Sequence, residues 1–207
     1  MIKAVIFDLD GTLVDSLPLI IELANRFSEK FGYKKIENIP ALRNKGIGEI
    51  IKDLGLPIYK LPLLIKKMRR KAKDKLKDVK IFEGIKSVIE RLSKKYAIGI
   101  LTTNSKKYVK YMLRREKITC VKFVFSSSSL FGKDIVLRKI LKKRGLKNDE
   151  IVYVGDELRD IRACKRVGVK VIAVSWGFNS KSLLMKGNPD FIAEKPEDIL
   201  SIVKGIK

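Results

Sequence analysis

The chain has 207 residues, of which 45% are hydrophobic and 33% charged, with a formal net charge of +23 and no histidine. This composition fits a soluble globular protein and excludes an intrinsically disordered one, and no apolar run approaches the ~20 residues of a membrane-spanning helix. The absence of histidine excludes Ser-His and Cys-His nucleophile systems, so acid–base chemistry near neutral pH falls to carboxylates, lysine or tyrosine.

The first predicted element is a strand at Ala4–Phe7, whose apolar residues are typical of a strand buried on both faces of a parallel sheet. Asp8, Asp10 and Gly11 follow at once. Since side chains alternate along a strand, Asp8 and Asp10 can share one side, and two close carboxylates favour a bound cation. Asp-x-Asp-Gly is also a common turn composition after a strand, so this motif alone leaves both interpretations open.

The following stretch has the pattern of amphipathic helices. Apolar residues recur at three- and four-residue steps from Ile20 to Phe31, with Ser16 as the predicted N-cap and Gly32 at the end. Glycines and prolines then break the pattern into short helices and loops. A second long helix is predicted over residues 61–76, where many lysines and arginines surround an apolar stripe.

From Val79 onward, predicted helices and strands alternate, which specifies a parallel sheet with helices on both faces. Strands are predicted at 97–101, 121–125, 151–154, 169–174 and 190–193, and helices at 84–95, 106–115, 134–144, 160–167 and 196–203. The predicted fold class is therefore α/β, a doubly wound, Rossmann-like parallel sheet. Because residues 16–80 interrupt the alternation, we expect them to form a small inserted α-helical cap domain, and residues 1–15 and 81–207 to form the core domain.

The positive charge is spread over the chain. Residues 16–80 carry 17 basic and 7 acidic side chains, and the remaining residues carry 29 and 16. The basic residues lack the interleaved aromatic residues of a surface that binds single-stranded nucleic acid. We therefore expect a generally basic, solvated surface that also attracts anionic substrates.

The expected cellular compartment is inferred from the cysteines and from the first residues of the sequence. Cys120 and Cys164 lack the paired spacing of zinc ligands or of a disulfide framework. The first apolar run is interrupted by Asp8, so we expect no signal peptide. These features together predict a reduced, cytoplasmic compartment.

Polar residues also follow three later strands of the predicted sheet. They are Thr102-Thr103-Asn104-Ser105, Gly132-Lys133-Asp134 and Gly155-Asp156-Glu157-Leu158-Arg159-Asp160. Hydroxyl and N–H groups at a helix start form an anion site, although Thr, Asn and Ser are ordinary helix caps as well. A lysine held by glycine at a helix start suits a phosphate, and carboxylates at the edge that bears Asp8 and Asp10 suggest a magnesium site.

The ordered set Asp8-Leu9-Asp10-Gly11-Thr12, Thr102, Lys133 and Gly155-Asp156-x-x-x-Asp160 resembles the four motifs of the haloacid dehalogenase superfamily. The resemblance covers essentially the whole chain, and the segments 13–16 and 174–178 look like its phosphoglycolate phosphatase-like branch. The chain departs from the family where Asp134 follows the lysine in place of the frequent proline. It departs again where Glu157 stands in place of a small hydroxyl residue.

The resemblance implies a role for each motif residue. Asp8 would be the nucleophile that forms an aspartyl-phosphate, and Asp10 the general acid and base. Asp8, the carbonyl of Asp10, and Asp156 would bind Mg²⁺. Among the remaining motif residues, Asp160 would order these ligands or Lys133, while Thr102, Thr103 and Lys133 would bind the phosphoryl group.

The functional prediction is a magnesium-dependent phosphatase that acts on a small phosphorylated metabolite resembling phosphoglycolate. Arg43 and Lys45 are plausible contacts for a substrate carboxylate, or else ordinary residues of a surface loop. One alternative is a phosphosugar mutase of the β-phosphoglucomutase type, and another is a nucleic-acid-associated phosphatase or binding protein. We expect a monomer or homodimer with no membrane partner, and we regard nucleic acid as the less favoured partner.

Overall fold

A computed structural model of the chain describes residues 1–127 and 132–206. Its centre is a six-stranded, all-parallel sheet with the strand order β3-β2-β1-β4-β5-β6. The strands are β1 (Ala4–Phe7), β2 (Ala97–Thr102), β3 (Val121–Ser126), β4 (Ile151–Gly155), β5 (Lys170–Val174) and β6 (Phe191–Ala193). The predicted doubly wound α/β fold is confirmed, and each strand lies within about one residue of its predicted bounds.

Ten α-helices surround or extend from this sheet in the described residues. They are α1 (Leu17–Phe31), α2 (Ile39–Arg43), α3 (Ile47–Asp53), α4 (Leu61–Lys75), α5 (Ile85–Leu92), α6 (Lys106–Arg115), α7 (Lys133–Arg144), α8 (Leu158–Val167), α9 (Lys181–Lys186) and α10 (Asp198–Gly205). Short 3₁₀-helices occupy Ile58–Lys60 and Asn148–Glu150. None of the helices described is long and apolar enough to cross a membrane.

Strand β1 is buried on both faces, which explains its uninterrupted apolar sequence. Val5 and Phe7 belong to a hydrophobic cluster on one face of the sheet, and Ala4 and Ile6 to a second cluster on the other face. This division follows the alternation of side chains along a strand. Helices on both faces cover the two clusters, so the edge of the sheet where the strands end is left for polar residues.

Helices α1, α3 and α4, with the loops that adjoin them, share a third hydrophobic cluster, which is separate from the two clusters of the sheet. Its buried members are Phe31, Tyr33, Ile51, Leu56 and Leu64. Helices α1 and α4 pack against each other. Helix α1 ends at Gly32, whose φ of 70° is a left-handed conformation that glycine adopts readily.

Ser16 occupies the predicted N-cap position of α1, but it does not cap the helix with its side chain. Ser16 precedes the helix, but its side chain makes no capping hydrogen bond, and its backbone is already in the right-handed helical region. A capping side chain reaches the free N–H groups from an extended backbone, which Ser16 does not have. Pro18 stands in the first turn of α1, where a missing N–H group leaves no hydrogen bond unmade.

Candidate active site

Three adjacent strands bring polar residues of the predicted motifs to one edge of the sheet. The register places Phe7 of β1 beside Ile100 of β2 and Val154 of β4. Asp8 follows Phe7 directly, and its N–H group donates to the carbonyl of Val154 at 2.9 Å. Thr102 and Asp156 therefore lie one strand away from Asp8, on either side.

Three buried carboxylates meet at this edge, and we call Asp8, Asp156 and Asp160 the acid cluster. One oxygen from each lies within 4.8 Å of the others. Their exposed fractions are 5%, 0% and 1%. Lys133 at the start of α7 is also buried, and its Nζ contacts both Asp8 Oδ2 and Asp160 Oδ1. The ammonium group also lies 5.7 Å from the centre of the Tyr153 ring, at the outer limit of a cation–π contact.

Asp156 is fixed by hydrogen bonds to both of its oxygens. The hydroxyl of Thr12 donates to Oδ1 at 2.8 Å, and the N–H group of Phe178 donates to Oδ2 at 2.7 Å. Two glycines allow this close approach. A Cβ atom at Gly11 would stand 2.1 Å from Asp156 Oδ2, and one at Gly177 would stand 2.3 Å from Asp156 Cβ.

Burial raises the pKa of Asp8 to about 7, even though the neighbouring Lys133 acts in the opposite direction. Burial also raises the pKa of Asp156 well above its ordinary value, and the negative charges of Glu157 and Asp8 add to this effect. A divalent cation would supply the positive charge that keeps these groups ionised. Clustered carboxylate oxygens are the ligands that Mg²⁺ prefers, so the acid cluster fits such an ion.

Asp10 is held apart from the acid cluster and faces a cavity. Its Oδ2 accepts a hydrogen bond from Asn104 Nδ2 at 2.6 Å, and burial raises its pKa. The N–H group of Asn104 donates in turn to the hydroxyl of Thr102 at 3.0 Å. Thr103 lines the same cavity as Asp10. The four predicted core motifs thus meet around one small volume.

The cavity has a volume of about 300 Å³ and lies between the sheet edge and the inserted helices. Its polar lining includes Arg69 of α4 and Glu157, Arg159 and Asn179 of the core. Arg159 Nη2 contacts Glu157 Oε1 at 2.5 Å, and both side chains are mostly buried. This volume is at the lower end of the range for small-molecule sites.

The structure places the two predicted substrate contacts of the inserted segment away from the cavity lining. Arg43 Nη2 donates to the carbonyl of Ser175 at 2.8 Å, which joins α2 to the loop after β5. Lys45 Nζ contacts Asp53 Oδ2 at 2.5 Å near the surface. Their contact with substrate remains a prediction.

Several residues of the site carried no recognised signal in the sequence. Asn104 resembled an ordinary helix cap, and Arg69 was one of many basic residues on α4. Asn179 Oδ1 accepts the N–H group of Leu158 at 2.8 Å and so caps α8 from a distant loop. Asn104 and Thr12 both lie inside stretches that the sequence singled out, but neither was assigned a role there.

Comparisons with known proteins agree with this geometry. A protein-family model described as haloacid dehalogenase-like hydrolase matches residues 5–174. The chain is 33% identical over 205 residues to a phosphoglycolate phosphatase of Synechococcus elongatus, with 97% of each chain covered. It is 27% identical over 215 residues to a pyrophosphatase of Bacillus mycoides, with 99% of this chain and 98% of the relative covered.

Solved structures show the same fold. A haloacid dehalogenase-like family hydrolase from Streptococcus pneumoniae superposes with a TM-score of 0.80 at 25% identity, with 98% of both chains covered. A predicted phosphatase from Clostridium acetobutylicum superposes with a TM-score of 0.84 at 20% identity, with 99% of both chains covered. At 20% identity, the similarity to the second structure concerns the fold alone.

Proposed function

The chain belongs to the haloacid dehalogenase-like hydrolase family, and from this premise we propose that it is a phosphatase that hydrolyses a small phosphomonoester at the sheet edge. The observation that carries the proposal is the placement of Asp8 at the end of the central strand, in contact with Lys133 and beside Asp156. The relative named phosphoglycolate phosphatase makes phosphoglycolate the reference substrate.

In the proposed first step, a carboxylate oxygen of Asp8 attacks phosphorus and the bond to the leaving oxygen breaks. The leaving oxygen keeps the bonding electron pair and takes a proton from Asp10. The raised pKa of Asp10 supports this role, because a raised pKa favours the protonated carboxyl group that can donate. The products of the step are the free alcohol and an aspartyl-phosphate at Asp8.

In the second step, water attacks phosphorus and the bond between phosphorus and Asp8 breaks. Asp10 now accepts a proton from this water, which restores both aspartates. Thr102 and Thr103 would bind the phosphoryl group, and Thr103 lines the cavity. Lys133 supplies a fixed positive charge beside Asp8. Such charges stabilise the negative charge that the phosphoryl oxygens carry in the transition state.

We further propose that Asp8, Asp156 and the backbone carbonyl of Asp10 hold a magnesium ion, with Asp160 ordering this set. When bound, the ion would neutralise phosphoryl oxygens and keep the carboxylates ionised. Asp160 supports this arrangement, since its Oδ1 contacts Lys133 and its Oδ2 accepts the N–H group of Glu157 at 3.1 Å.

Residues 16–80 are proposed as a helical cap domain over a core of residues 1–15 and 81–207. The separate hydrophobic cluster of the inserted helices supports this division. The cavity between the two parts supports a role for the cap in shielding the phosphoryl group from water until the alcohol has left.

Phosphate release from a panel of phosphomonoesters, measured with Mg²⁺ present, tests the proposed function. We expect Asp8→Asn to lower kcat/KM by roughly 10⁴-fold, because an amide cannot form the aspartyl-phosphate. Asp15→Asn is the matched control, since Asp15 is exposed and only seven residues along the chain. Retained activity in a folded Asp8→Asn variant would refute the proposed nucleophile.

Thermal unfolding after removal of metal with EDTA tests the metal site independently of activity. Excess Mg²⁺ should raise the unfolding temperature of the wild-type protein, because an ion that binds only the folded state stabilises it. Asp156→Asn should abolish most of this rise, whereas Asp15→Asn should preserve it. If Mg²⁺ raised the unfolding temperature of both variants equally, the ion would bind at a different site.

A further inference from the structure

The cavity has two chemically different ends. Asp10, Thr103 and Asn104 lie where it meets the sheet edge. The inserted helices contribute aliphatic side chains to its lining, and we call Ile20, Ile50, Ile65 and Ala72 the aliphatic wall. These four side chains are only partly buried and are not members of the hydrophobic cluster that holds the inserted helices together. Because these residues line the cavity, they offer it an apolar surface.

We infer that the alcohol carried by the substrate is an apolar group of several carbon atoms, which packs against the aliphatic wall while the phosphoryl group lies at Asp8. The inference rests on the proposed phosphatase function and names its substrate class. Transfer of an alkyl group from water to such a surface is favourable by ~0.8 kcal/mol for each methylene, which corresponds to about fourfold in affinity.

Sugar phosphates fit this lining poorly. Their hydroxyl groups would lose water and find aliphatic carbon in its place, which is unfavourable unless each hydroxyl gains a new partner. The hydroxyl of Tyr33, which also lines the cavity, already donates to the carbonyl of Ala24 at 2.5 Å. The aliphatic wall therefore argues against the phosphosugar mutase alternative.

A second anionic group on the substrate is not favoured by the charges of the lining either. Arg69 and Arg159 share the lining with Asp10 and Glu157, and the charges of these four residues cancel once Asp10 has given up its proton. Arg159 moreover forms an ion pair with Glu157. Phosphoglycolate, a short molecule with two anionic groups, would meet this balanced set and would leave the aliphatic wall in contact with water.

A series of unbranched alkyl phosphates from methyl to hexyl, assayed with Mg²⁺, tests the inference directly. We expect kcat/KM to rise roughly two- to fourfold for each added methylene until the cavity is filled. The longer members should then exceed phosphoglycolate and glucose 6-phosphate. Values that stay level or fall with chain length, while phosphoglycolate is hydrolysed, would overturn the inference and leave the phosphatase function intact.

Two matched substitutions locate the effect. Ala72→Met enlarges a residue of the aliphatic wall, and Ala41→Met makes the same change at an alanine of α2 that does not line the cavity. We expect the first variant to lose most of the increase with chain length and the second to keep it. Equal chain-length dependence in both variants would show that the alkyl group binds elsewhere.

Binding of alkylphosphonates, which the enzyme cannot hydrolyse, separates the inference from the function on which it rests. Calorimetry with methyl- to hexylphosphonate and Mg²⁺ should show affinity that increases with chain length in the wild-type protein and in Ala41→Met. If affinity increases with chain length but no phosphomonoester releases phosphate, the phosphatase function is refuted and the inference about the alkyl group stands. Affinity independent of chain length would refute the inference.

Discussion

The acid cluster is buried behind the sheet edge and the aliphatic wall lines the cavity, and the side chains of the two regions are held in opposite ways. Each carboxylate of the acid cluster has specific partners, such as Lys133 for Asp8 and Thr12 for Asp156. The side chains of the aliphatic wall carry no polar group, and they are partly exposed. Polar partners fix atoms to within fractions of an ångström, whereas apolar contacts tolerate small displacements and different shapes.

This difference suggests a division of labour between the two regions. The acid cluster is over-determined, because Asp8 and Asp156 follow two paired strands, Asp160 lies in the first turn of α8, and Lys133 at the start of α7 contacts two of the three carboxylates. Changes there should alter both stability and chemistry. The inserted helices present a surface on which substitutions should change substrate preference first, with smaller effects on the free energy of unfolding.

The largest effect is expected at Lys133. Lys133→Ala leaves Asp8 and Asp160 buried without their shared cation, so the free energy of unfolding measured in urea without metal should fall by ~3–5 kcal/mol. Lys139→Ala, on an exposed position of the same helix, should change it by less than about 0.5 kcal/mol. A similar small change in both variants would show that the acid cluster does not depend on its lysine.

Glycine-to-alanine substitutions compare the two regions with one change. Gly177→Ala should destabilise the protein by ~1–3 kcal/mol, because the new Cβ would stand 2.3 Å from both Asp156 Cβ and the carbonyl oxygen of Gly11. Gly48→Ala, in α3, meets no atom within 4 Å and should stabilise by ~0.5–1 kcal/mol. Urea unfolding measures the change in the free energy of unfolding for each variant. Changes of the same sign in the two variants would contradict the comparison.

The smallest effect is expected for Tyr33 in the inserted helices. Burial raises the pKa of Tyr33 to about 12, so the folded state keeps the phenol neutral where the unfolded chain, with a pKa near 10, ionises. This contribution to stability is complete below about pH 10 and is lost as the pH rises towards 12. Tyr33→Phe should therefore show a smaller decrease in urea midpoint than the wild-type protein between pH 10 and 12. If the urea midpoints of the two proteins fell equally over this pH range, the raised pKa could not be assigned to Tyr33.

The sheet was predictable because burial leaves a direct signal in the sequence. The apolar run of β1 and the acids after it located the central strand and the site edge together. Helix α9 was missed, since it has six residues and buries only Leu183 and Leu184. So short an element has no periodic pattern, and its position depends on packing against α8.

The site was predictable only where its residues lie in local motifs. Asp8 and Asp156 each follow a buried strand, and the parallel sheet brings them together. Arg69 could not be identified, because nothing local separates it from the other basic residues of α4. The contact between Asn104 and Asp10 likewise depends on loops that only the folded sheet places side by side.

The position of β1 between β2 and β4 also has a consequence for folding during synthesis. This strand emerges from the ribosome early, yet its first partner begins at Ala97 and its second at Ile151. Until both are made, the nascent chain carries an unpaired apolar strand, which is a hazard for aggregation. Helices α1, α3 and α4 have their own hydrophobic cluster and can condense during this interval, so the catalytic edge is assembled late in the folding of the molecule.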